Sequence, residues 1–152
     1  MDDYLSFEDL SNTRVSDIEE PKPHPHGTYL FSIVSGDFKE VESESDKAPV
    51  ANASFACRAV EAFGDVDEDE LAATEGSWES ESVWHRIPIF NRADRYKVVK
   101  FAATLGFDVE GFDGGLDELC KALTTYRFTA YVDHRIVGDD VYINLKSIKS
   151  AA

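Results

Sequence analysis

The sequence predicts a small, mainly β domain with a helical insert. Five segments rich in β-branched and aromatic residues alternate at period two, and a segment with helical spacing stands between the third and fourth of them. Gly-, Asn- or Asp-containing turns separate most of these segments. At 152 residues, 43% of them hydrophobic, the chain has material for one well-buried core and too little for two comfortable ones. Ten Phe, six Tyr and two Trp argue against global disorder despite a charged content of 30%.

Residues 1–26 read as an acidic arm that closes in Pro21-Lys22-Pro23-His24-Pro25-His26, a run too proline-rich for a helix or a central strand. The domain proper is expected over 27–149. Its first strand is Thr28 to Val34, with Tyr29, Phe31 and Ile33 on one face. Polar residues 35–48 then form a loop or weak hairpin leading to a long second strand, about Val50 to Phe63, where Phe55, Cys57 and Ala59 share a side. Residues 64–82 are an acidic excursion with a short helical signal at Asp67 to Ala73. Val83 to Phe90 is the third strand. Asp94 is placed to cap a helix from Arg95 to Leu105, in which Val98, Phe101, Ala102 and Leu105 recur at helical spacing and Gly106 supplies the stop. A second short helix follows from Leu116 to about Leu123. Two strands, Tyr126 to Val137 and Val141 to Ile148, close the domain around Gly138-Asp139-Asp140, which suits a tight hairpin. Three strands, a helical insert and two further strands is the order of the five-stranded OB-fold barrel.

Thirty acidic against fifteen basic residues give a net charge of −15, which taken alone argues against a polyanionic partner. The distribution reverses locally. Residues 61–83 hold nine carboxylates and no Lys or Arg, whereas 84–101 hold five basic residues and one acidic. Binding of single strands requires flat aromatic faces for bases, interleaved with cations for phosphates, on one surface. Alternation supplies such a set on the side of the sheet away from the core. The third strand points Trp84, Arg86 and Phe90 outward, the fourth Arg127, Tyr131 and Arg135, and the fifth Tyr142, Asn144 and Lys146, with Arg58 of the second strand beside them. Arg92, Arg95, Lys97 and Lys100 near the first helix extend the basic stretch. The structural alternative is that the aromatics pack beneath a helix and the helix cations form a solvated face.

No catalytic constellation is visible. The carboxylate run from Asp65 to Glu70 lacks the glycine and spaced ligands of a calcium loop, and linker composition accounts for His24 and His26 better than zinc does. There is no Gly-rich phosphate loop, nucleophile elbow or paired-cysteine motif. Cys57 and Cys120 lie in apolar runs and read as free thiols. No apolar run reaches the length of a membrane span, and the acidic start is unlike a signal peptide, so a cytoplasmic, non-enzymatic protein without cofactor or metal is expected.

Three segments carry a family resemblance. They are His26-Gly27-Thr28-Tyr29, the helix Tyr96-Lys97-Val98-Val99-Lys100-Phe101-Ala102-Ala103-Thr104-Leu105-Gly106, and Tyr126-Arg127-Phe128-Thr129-Ala130-Tyr131-Val132 with Val141-Tyr142-Ile143-Asn144. On these, Gly27 to Ile148 resembles the small OB-fold single-stranded DNA-binding proteins of bacteriophages. The resemblance implies coating of single strands in phage replication or recombination, with bases stacked on aromatics such as Trp84 and Tyr131. Such proteins commonly carry an acidic partner-recruiting tail at the C-terminus. Here the acidic-apolar arm is N-terminal, and Tyr4, Leu5, Phe7 and Leu10 are its candidate contacts for a replication or recombination protein. Two other classes stay open: an acidic interaction adaptor, DNA mimic or inhibitor, and a virion assembly component. A homo-oligomer is compatible with each.

Overall fold

The structure, a computed structural model, describes residues 21–151 together with 11, 12 and 14–17. The arm positions Tyr4, Leu5, Phe7 and Leu10 lie outside the described residues. The fold is mainly β. Strands β1 (Gly27–Glu40), β2 (Ala51–Ala62), β3 (Val83–Ile89), β4 (Arg127–Val137) and β5 (Asp140–Ser150) form one antiparallel sheet in the order β3-β2-β1-β4-β5. Helices α1 (Glu68–Ala73) and α2 (Ser77–Ser80) stand between β2 and β3, and α3 (Arg95–Thr104) and α4 (Leu116–Ala122) between β3 and β4.

The expectation of a barrel is met as far as its five strands and the helical insert. The sheet itself is not closed: β3 and β5 are its two edges and share no hydrogen-bonded ladder. It curls far enough for both edges to line one cleft.

Period-two alternation decides which side is buried. Tyr29, Phe31 and Ile33 of β1, Phe55 and Cys57 of β2, and Phe128 and Val132 of β4 are buried almost completely. The apolar stripe of α3 lies over them, with the Phe101 ring 4.9 Å from Phe55 and 6.0 Å from Phe128. Each such side chain contributes roughly 1.5–3 kcal/mol by leaving water. Leu119 and Cys120 of α4 complete this layer.

β1 is longer than its apolar run predicts. A register shift between Ile33 and Ser35 lets the polar residues 36–40 go on pairing with 51–55 of β2. α4 packs so closely on this extension that a β-carbon at Gly36 would stand 2.1 Å from the Cys120 carbonyl oxygen. β5 also outruns its prediction, because a bulge with Ser147 at φ 54° carries the pairing on to Lys149 and Ser150.

At the start of α3 the capping differs from expectation. Asp94 has helical backbone and its side chain caps nothing in the helix; its carboxylate accepts from the Phe90 amide at 2.9 Å instead. Asn91 takes the capping role for the 3-10 turn Arg92–Asp94, accepting from the Asp94 amide.

Residues 21–26 lie against the sheet. His24 is buried, its Nε2 donating to the Trp78 carbonyl at 2.8 Å, while Tyr29 Oη donates to the Pro25 carbonyl. His134 of β4 donates to the His24 carbonyl, and the rings of His26 and His134 stand 4.0 Å apart. The acidic segment is fastened at its base, where Asp65 accepts from both the amide and the hydroxyl of Thr28 and Val66 is buried against Gly27.

Candidate nucleic-acid interface

Alternation along β3 turns Val83, Ile87 and Ile89 into the core and leaves Trp84, Arg86 and Pro88 exposed. β4 buries Phe128, Ala130 and Val132 and exposes Arg127, Tyr131 and Arg135. In β5, Tyr142, Asn144 and Lys146 are more exposed than Ile143 and Leu145. Because β3 and β5 meet only across the curl of the sheet, their outward residues converge on one cleft of about 490 Å3. It is lined by Trp84 and Arg86 on one side and by Arg135, Tyr142, Asn144 and Lys146 on the other. Among the described residues none that lines it is a carboxylate. In a chain with twice as many acidic as basic residues, that concentration of cations is a local reversal of sign.

The aromatic and cationic groups are already arranged in pairs. The Arg86 guanidinium lies 5.0 Å from the centre of the Trp84 ring, and that of Arg135 lies 5.2 Å from the centre of Tyr142. The second pair follows from register, since Arg135 and Tyr142 face each other across the β4–β5 ladder. Trp84 and Tyr142 are 44% and 46% exposed, so neither ring is spent as core. Tyr131 pairs with Lys146 in the same ladder and is 38% exposed. Lys146 also bonds Asp133, which is held below the usual carboxylate range first by that hydrogen bond and further by the charges of Lys146 and His26.

A second hollow, about 400 Å3, adjoins the cleft along β3 and shares His85 and Arg86 with it. Its floor is Ile87, Phe101 and Ile148, and Lys97 and Lys100 of α3 stand at its rim. Lys97 is ion-paired with Asp94 at 3.1 Å. His85 lines both hollows, although alternation assigns it to the core. Its ring packs 4.9 Å from Phe101, and burial pushes its pKa down to about 4, so it is neutral at pH 7.

The remaining sequence-predicted residues lie elsewhere. Phe90, Arg92 and Arg95 occupy the corner between β3 and α3, where Arg95 Nε donates to the Arg92 carbonyl, and none of them lines the cleft. Arg58 and Arg127 stand on the outer face on either side of Ser32, one pairing with it from β2 and the other from β4. Both cysteines are free and buried, and burial pushes each thiol up to about 12. Among the described residues no group of three or more His, Cys, Asp or Glu is placed to hold a metal ion, and no helix is long and apolar enough to cross a membrane.

No protein-family model matches the chain, and no curated protein matches it in sequence.

Proposed function

We propose that this chain is a non-catalytic single-stranded DNA-binding protein that seats bases on Trp84 and Tyr142 and neutralises the adjoining phosphates with Arg86, Arg135 and Lys146. The observation that carries this reading is the cleft between the edges of β3 and β5, which no carboxylate of the described residues lines and where Trp84 and Tyr142 each have a guanidinium beside them. The sheet order β3-β2-β1-β4-β5, with its edges facing each other, is the order of an OB-type barrel whose last seam is left open, and this supports the same assignment. Coating of single strands in phage replication or recombination is the role that the resemblance implies.

Anisotropy of a labelled oligothymidylate at low and moderate salt tests the proposal. Wild-type protein binds and weakens as salt rises. Trp84→Ala and Tyr142→Ala each lose about 1–3 kcal/mol, or roughly 5- to 150-fold in affinity. Absence of binding at low salt overturns the reading and favours the acidic-adaptor class, for which the nine carboxylates of residues 61–83 speak.

A further inference from the structure

We infer that the outer face of the central strand carries a second phosphate-binding row, Arg58–Ser32–Arg127, across which the strand held in the cleft continues around the domain. This rests on the single-strand reading above. Register builds the row. Ser32 of β1 pairs with Arg58 on one side and Arg127 on the other, and directly paired residues of antiparallel strands point to the same face. Two arginine stems therefore rise on either side of one serine hydroxyl, their Cα atoms about two strand spacings, roughly 10 Å, apart.

Like charges held this near repel one another, and an anion between them removes that cost. This chain has thirty carboxylates to offer, yet among the described residues neither Arg58 nor Arg127 makes a side-chain hydrogen bond or ion pair. Glu61, which faces outward opposite Leu30, is not within ion-pair distance of either. No described residue supplies the row with an anion.

The occupant follows from where the row leads. β1 is the middle strand and the cleft lies between the two edges, so Ser32 at the centre of the row and the cleft are on opposite sides of the curled sheet, with Arg58 and Arg127 on the strands between them. Outward positions connect them in both directions. On β2, Arg58 is two residues from Ala56, the partner of Trp84, which places Arg58 diagonal to Trp84 in the sheet, one strand away from the cleft. On the other side Arg127 lies diagonal to Lys149, the partner of Thr129, and Lys146 follows as the partner of Tyr131. The bulge at Ser147 is what turns Lys146 and Lys149, three residues apart, to the same face. A small anion needs only the row; a path with both ends at an aromatic cleft fits a flexible polyanion, and single-stranded DNA is the occupant proposed above for that cleft.

Two oligothymidylates separate this proposal from the one beneath it, one of about 4 nucleotides that fills the cleft and one of about 16 that reaches around the sheet. Each phosphate neutralised on a single strand contributes about 0.7 to the slope of log K against log salt. Arg58→Ala with Arg127→Ala should therefore flatten the slope for the long oligonucleotide by about 1.4 and leave the short one unchanged. Arg58→Lys with Arg127→Lys should restore most of the slope, and circular dichroism melting checks that all variants are folded. An unchanged slope for the long strand overturns the second row while the cleft reading survives. Equal losses for both lengths overturn it too, by placing the arginines in the cleft's own site. Failure of wild-type protein to bind either length brings down the cleft reading and the row together.

Discussion

His85 shows how one residue can serve both the core and the candidate surface. It sits on an inward position of β3, where its ring rests on Phe101, and it also lines the cleft and the adjoining hollow. Burial lowers its pKa from the ordinary 6.5 to about 4 in the folded state. Above pH 6.5 it is neutral folded or unfolded and contributes nothing to the pH dependence. As pH falls from 6.5 towards 4 the unfolded chain takes up a proton that the folded one refuses, so stability drops by on the order of 3 kcal/mol. His24, also lowered by burial, acts with the same sign. Asp65, Asp94 and Asp133 are held below the carboxylate range mainly by hydrogen bonds, so the stability each adds is present above the ordinary carboxylate range and is lost as pH falls through its lowered folded-state value. Urea unfolding of His85→Leu between pH 7 and 4 should show a shallower loss of stability than wild type. Identical pH profiles would mean that His85 is solvated and titrates normally.

At the scale of elements, the contact of β1 with α4 is the tightest test of the packing. Gly36→Ala drives a methyl group into the Cys120 carbonyl, a backbone atom that cannot rotate away, whereas Gly64→Ala meets nothing within 4 Å. Thermal or denaturant unfolding should find Gly36→Ala destabilised by roughly 3 kcal/mol and Gly64→Ala nearly neutral. Equal effects would contradict the seating of α4 on the β1 extension. The same two elements show what the sequence tells and what it withholds. Inward residues of β1, β3 and β4 and the buried stripe of α3 are readable from periods of two and 3.6, because burial imposes those periods directly. The stretch from Ser35 to Glu40 reads as a loop or weak hairpin and not as part of the first strand, since its residues pair only after a register shift that no local pattern announces. β5 is longer than its alternation suggests for the related reason that a bulge breaks the period at Ser147. Asp94 is the expected kind of capping residue, but Asn91 begins the turn three residues earlier and takes the role.

For the whole molecule, the outward identity of Trp84, Arg86, Arg135, Tyr142 and Lys146 follows from alternation. Their convergence does not, because β3, which carries Trp84 and Arg86, is not paired with β5 and meets it only through the curl of the sheet. The same long-range geometry keeps Arg58 and Arg127 out of the cleft lining and leaves Phe90, Arg92 and Arg95 at a corner. Charge follows a similar logic. A net −15 concentrated in acidic segments is compatible with a polyanion ligand only where those segments leave a cationic surface uncovered, and among the described residues the cleft, with no carboxylate in its lining, is such a surface. The most direct measurement is an amide chemical-shift titration of the labelled protein with a short oligothymidylate at low salt. The account predicts perturbations concentrated at Trp84, Arg86, Arg135, Tyr142, Asn144 and Lys146, moving in step with oligonucleotide concentration. Saturating oligonucleotide that leaves these amides still, or that shifts only residues remote from the β3–β5 cleft, would contradict it.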